Sequence, residues 1–130
     1  MKIIKAKTFI ATAVIGLQRG YSNELIDIET FKDVLLAAQK SVFEHYNVSL
    51  SVKLTACDIL FLGQEEPSLT LSIIQYPKFP QPETILKEAF TKLITKLMID
   101  LEQNRIVVQF PDETIMLEQT DAIDHKITFN

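Results

Sequence analysis

The side chains with chemistry to offer are few and scattered. His45 and His125 are the two histidines. The only carboxylate or cysteine beside the first is Glu44, and neighbouring residues point to different sides of a helix. Asp121, Asp124 and His125 form a small acidic-imidazole cluster, which suits either a metal ion or a solvated tail. Cys57, the single cysteine, sits at a strand end with nothing basic beside it, so it reads as a structural thiol. One cysteine also excludes a disulfide framework or a cysteine-based zinc site within one chain. Glu65-Glu66 offers paired carboxylates for acid–base work, and equally a solvated turn. Ser49, Ser51, Ser68 and Ser72 lie on alternating strand positions without a nearby histidine, a weak setting for a nucleophile. Local motifs alone reveal no enzyme, and no cofactor is expected.

The chain that must position these groups has 130 residues, 47% hydrophobic and 23% charged, enough for one globular domain over residues 1–130. Lys and Arg number 13 against 17 Asp and Glu, a net charge of −4. Such a chain lacks the basic footprint of a nucleic-acid-binding surface. Three glycines and no tryptophan leave little material for a glycine-rich phosphate loop. The basic Met1 to Lys7 followed by the apolar Thr8 to Leu17 mimics a short signal peptide. Its Ala11-Thr12-Ala13 motif lies inside the apolar run, however, and the run is too short to span a bilayer. An opening β-strand is the expectation, with a cytoplasmic location and no membrane partner.

Residues 8–17, rich in Ile, Val, Phe and Thr, read as that strand. Asp27 can cap a helix, and Phe31, Val34, Leu35, Ala38, Val42 and Tyr46 recur at helical spacing up to Asn47. Residues 48–56 alternate apolar and polar, as a half-buried strand does. Asp58 to Gly63 could be a short strand or a turn, Gln64 to Pro67 is a polar break, and Ser68 to Tyr76 alternates again. Pro77 and Pro80 stop the sheet, and Pro82 opens a second helix. Its stripe is Ile85, Leu86, Ala89, Phe90, Leu93, Leu97, Met98 and Leu101. Arg105 to Phe110 and Thr114 to Gln119 are strands around a Pro111-Asp112 turn, and Lys126 to Asn130 adds a terminal edge strand. The expected architecture is an α+β sandwich of βαββαβ order, two helices on one face of a four-stranded sheet, with extra short strands at the end.

The block Asp58-Ile59-Leu60-Phe61-Leu62-Gly63-Gln64-Glu65-Glu66-Pro67, followed by Ser68 to Ile73, resembles a region of macrophage migration inhibitory factor and its tautomerase relatives. Phe90 to Leu97 looks like that family's second helix, Asn104 to Phe110 like its Asp-Arg-Val-Tyr-Ile-Asn strand, and Thr128-Phe129 like its terminal Thr-Phe. The likeness covers roughly residues 48–130. It implies a βαββαβ protomer in a homotrimer, with active sites between subunits and an amino-terminal proline as the proton-transferring base.

The chain departs from that pattern at the decisive position, because residue 2 is Lys2 and no proline precedes Pro67. Aligning Phe9-Ile10 with the family's Phe-Ile puts the catalytic proline at Lys7. The family's pocket Tyr and Asn fall on Val107 and Gln109, with Tyr76 as a further pocket residue. A desolvated Lys7 could act as base or Schiff-base former, and a solvated lysine is the competing reading. Two functions follow. One is an oligomeric small-molecule-binding or interaction module without proline-based tautomerase activity, its ligand a small organic acid. The other is a divergent keto–enol isomerase using Lys7. On the first reading, phenylpyruvate is not tautomerised.

Overall fold

The computed structural model describes residues 1–20 and 22–120. Asp121, Asp124, His125 and the strand expected over Lys126 to Asn130 lie outside them. The element order is β1 (Ile10–Gly16), α1 (Ile28–Tyr46), β2 (Lys53–Phe61), β3 (Gln64–Ile74), α2 (Glu83–Asp100), β4 (Arg105–Gln109) and β5 (Thr114–Glu118). The strands form one antiparallel sheet in the order β2-β3-β1-β4-β5. The first four make a split βαβ arrangement. Exchanging β1 with β3 and β2 with β4 leaves their order unchanged when read from the other edge, so a doubled strand–helix–strand unit is present in the pairing itself.

The sheet has five strands where four were expected. Thr114 to Glu118 is not an appendage. It pairs along its whole length with β4, from Arg105↔Glu118 to Gln109↔Thr114. A second difference lies in Gln64 to Pro67, which belongs to β3 rather than to a polar break. Leu62 and Gly63, at φ 46° and 84°, make the tight turn that joins β2 to β3. Two successive left-handed residues match the twist of a hairpin, and Gly63 meets that demand at no steric cost. Pro67 is tolerated because its carbonyl, which accepts from Leu17 N–H at 2.9 Å, faces the end of β1. The donor that proline lacks would point to that same side, where the β1–β3 ladder has already ended at Gly16↔Ser68. The strand expected over 48–56 begins only at Lys53, although Val48 and Leu50 are buried.

The inward face of β1 is Ala11, Ala13 and Ile15, all buried. Leu69, Leu71 and Ile73 of β3 and Ile106 and Val108 of β4 continue that layer. The helices cover it. Phe31, Leu35, Ala38 and Val42 of α1 and Leu86, Ala89, Phe90, Leu93, Ile94, Leu97 and Met98 of α2 are buried, the spacing of one helical stripe. Ile94 joins the stripe read from the sequence, while Ile85 is only partly buried.

Asp27 caps α1: its carboxylate accepts from Thr30 N–H at 2.8 Å and from Thr30 Oγ1 at 3.1 Å. Those bonds hold its carboxyl below the usual carboxylate range. Across the sheet edge, the hydrogen bond from Lys87 does the same for Asp112, and raises the lysine in turn.

Leu93→Ala removes a fully buried side chain and should cost roughly 2–5 kcal/mol in urea melts, while the exposed Lys92→Ala changes little. Folded Asp27 titrates lower than the unfolded residue, at about 3.9. Its contribution is therefore present above that pH and lost as pH falls through the folded value. Asp27→Asn keeps a capping side chain without the titration, so its stability should fall less steeply below about pH 4.

Candidate functional site

The helices leave the other sheet face uncovered, and the register places its residues in rows. Lys53, Ser72, Thr12, Gln109 and Thr114 share one row across all five strands. Thr55, Thr70 and Val14 share the next, which Val107 and Met116 continue. A third holds Cys57, Ser68 and Gly16, continued by Arg105 and Glu118. Apolar side chains are exposed all over this face: Ile10, Val14, Ile59, Phe61, Ile74, Val107 and Met116.

Glu66 stands out in that setting. It is half-buried, opposite Ile59 on the uncovered side. Its carboxylate lies across Gly16, so close that a Cβ there would come within 1.9 Å of Oε1. Only glycine makes room for it on the central strand. Two hollows meet at Glu66 and Ile59. One, of about 270 Å³, is lined also by Val14, Gly16, Ser68, Arg105 and Val107. The other, of about 300 Å³, is lined also by Gln18, Asn23, Phe61, Gln64 and Glu65. Ser68, buried, donates from Oγ to the Glu66 carbonyl at 3.2 Å. Arg105 is ion-paired with Glu118 across β4 and β5. Gln103 fixes the outer wall. Its Nε2 donates to the Gln18 carbonyl at 2.7 Å, tying the loop after β1 to the end of α2.

Where the hollows meet, the Glu66 carboxylate offers negative charge to a bound cation, with the Phe61 ring, Val14, Val107 and the Arg105 guanidinium also in the walls. An aromatic face adds attraction for a positive centre.

The residues taken from the sequence are only partly gathered there. Val107 lines the smaller hollow. Gln109 is two positions further along β4 and accepts from Thr12 Oγ1 at 3.3 Å. Tyr76 lies beyond the far end of β3, stacked on Phe79. Lys7 precedes β1, with its side chain 87% exposed and 3.6 Å from Glu83. In the protomer, no apolar wall surrounds that lysine. His45 is exposed in the last turn of α1, edge-on to Tyr46. Cys57 is partly buried, its Sγ 3.4 Å from Thr70 Oγ1. Glu66 was visible as a carboxylate, but its position was not. Adjacent in sequence, Glu65 and Glu66 face opposite sides of a strand, and the signal was the two-residue step from Glu66 to Ser68.

Gly16→Ala should leave the fold intact, since only the end of a flexible side chain must move. The displaced Glu66 carboxylate would show as shifted Glu66 side-chain resonances in an NMR spectrum, with the amide pattern of α1 and α2 unchanged.

No protein-family model matches the chain, and no curated protein does. Among solved structures, it is similar to a phage SAM lyase in the apo state, at 18% identity and a TM-score of 0.66, over 85% of this chain and 89% of that one. It is also similar to a phage SAM lyase in complex with S-methyl-5′-thioadenosine, at 15% identity and a TM-score of 0.58, over 92% and 95%. What is shared at these identities is the fold. Among the described residues, no helix is long and apolar enough to cross a membrane.

Proposed function

We propose that the chain binds a sulfonium nucleoside of the S-adenosylmethionine type at Glu66 and cleaves one of its carbon–sulfur bonds. The observation that carries this reading is the half-buried Glu66 carboxylate laid over Gly16, where two hollows of mixed polar and apolar lining meet. It is a cation site, on a fold shared with lyases that act on a cationic sulfur compound. The chemistry asks little of the protein. The bond breaks with both electrons going to sulfur, which leaves as a neutral thioether and needs no acid. The carbon released is satisfied within the same substrate, by its own carboxylate or by loss of a proton to Glu66. A site without histidine or cysteine can support that, because orientation and exclusion of water do most of the work.

The hollows are shallow in one protomer, and the apolar face beside them is uncovered. We further propose that the protein self-associates through this face as the homotrimer that the tautomerase resemblance implies. A neighbour would roof the Glu66 site and bury Val14, Val107 and Met116. The alternative of a keto–enol isomerase working through Lys7 has less support, since that side chain is exposed and held by Glu83. The finer assignment to the tautomerase superfamily rests on the sequence resemblance alone.

Incubation with S-adenosylmethionine should release S-methyl-5′-thioadenosine, read by liquid chromatography. Glu66→Gln should lower the rate at least about a hundredfold if the carboxylate takes part in the transition state, and Gly16→Ala should lower it too. Full activity in a folded Glu66→Gln protein would refute the assignment. Light scattering should give three times the 14.8 kDa of one chain, and a monomer at micromolar concentration would refute the trimer.

A further inference from the structure

The geometry points to a second binding site, separate from Glu66, for a neutral planar heterocycle in a cleft at the opposite end of the sheet. The cleft exists because β2 joins β3 late. Their ladder stops at Lys53↔Ser72, so residues 48–52 run beside the end of β3 without pairing to it. Gln39 Nε2 donates to the Leu50 carbonyl at 2.9 Å and holds this segment toward α1. The opening has a volume of about 550 Å³, within the range of small-molecule sites. Buried Ile73 and Leu86 form part of its lining.

Three features select the ligand. First, Tyr76 and Phe79 stand at the cleft with rings 5.9 Å apart and 10° from parallel, and both are more than half exposed. A planar ring can extend that stack. Second, the lining contains no charged side chain. An ionic ligand would lose hydration there without a partner, so the ligand is neutral. Third, the polar groups in the lining are neutral, among them the Ser49 and Ser51 hydroxyls, the Asn47 and Gln81 carboxamides and the main chain where the ladder has stopped, which suits a ring bearing both donors and acceptors.

The site is held in shape before anything binds. Gln75 grips the loop twice, donating from Nε2 to the Gln81 carbonyl at 2.7 Å and accepting from Gln81 N–H at 2.8 Å. Phe79 N–H donates to the Tyr76 carbonyl at 3.0 Å, closing the turn that stacks the rings. Neither clamp takes part in the core, and their effect is to fix two exposed aromatic rings at the mouth of a cleft.

The test is an NMR titration of the full chain with adenine and with indole. The expected result is saturable shifts at the Ser49, Ser51, Tyr76 and Phe79 amides, with nuclear Overhauser contacts from probe protons to both rings. Tyr76→Ala and Phe79→Ala should each weaken binding about tenfold with unchanged melting curves, while Tyr76→Phe retains it. The proposal is overturned by the absence of saturable shifts in the wild-type protein, or by contacts located elsewhere. It is overturned equally by undiminished affinity in the folded alanine variants, by benzoate binding as tightly as the neutral rings, or by uptake of an extended peptide with the rings refused.

Discussion

The central strand bonds on both sides and packs on one face, and the rest of the molecule is arranged around that. β1 pairs with β3 from Ile10↔Ile74 to Gly16↔Ser68 and with β4 through Thr12↔Gln109 and Ala13↔Val108. Its inward residues Ala11 and Ala13 are small, so α2, which packs on β1 and β4, can approach the middle of the sheet closely. Its outward residues stay uncovered. The same strand therefore supplies the floor of the core and, through Val14 and Gly16, the floor of the Glu66 hollow. A side chain larger than hydrogen at Gly16 would take the space Glu66 occupies.

Much of this was legible from periodicity. The stripe from Phe31 to Val42 and that from Leu86 to Leu101 repeat at helical spacing, and the buried residues follow them closely. Alternation marked the strands wherever one face is buried. It failed at Gln64 to Pro67, where neither face of β3 is fully buried and the residues are Gln, Glu, Glu and Pro, so a strand has the composition of a loop. It failed again at Val48 to Val52, where alternation is present but pairing is not. Pairing is a property of two segments, and neither segment carries it alone.

The site was less legible, for a related reason. Val107 could be named because a family pattern ran through it. Glu66 could be named only as one of two neighbouring acids, since nothing in the order of residues says that it meets Gly16 fifty positions earlier. Register across β1 and β3 creates that contact. The choice of Lys7 rested on aligning a terminal proline with an internal residue, and the lysine stands apart from Val107, outside the sheet.

The sheet order also sets a schedule for synthesis on the ribosome. β1 is made first but lies in the middle, and both of its neighbours, β3 and β4, are made later. Until about half the chain has emerged, β1 has no partner on either edge, and an apolar strand with two open edges is the kind of segment that chaperones shield. The hairpin of β2 and β3 has the opposite character. Its turn at Leu62-Gly63 is local, so it can close within microseconds of leaving the exit tunnel and then offer β3 as the template on which β1 docks. The projecting end of that hairpin, which adds little to the finished core, is where this local closure begins.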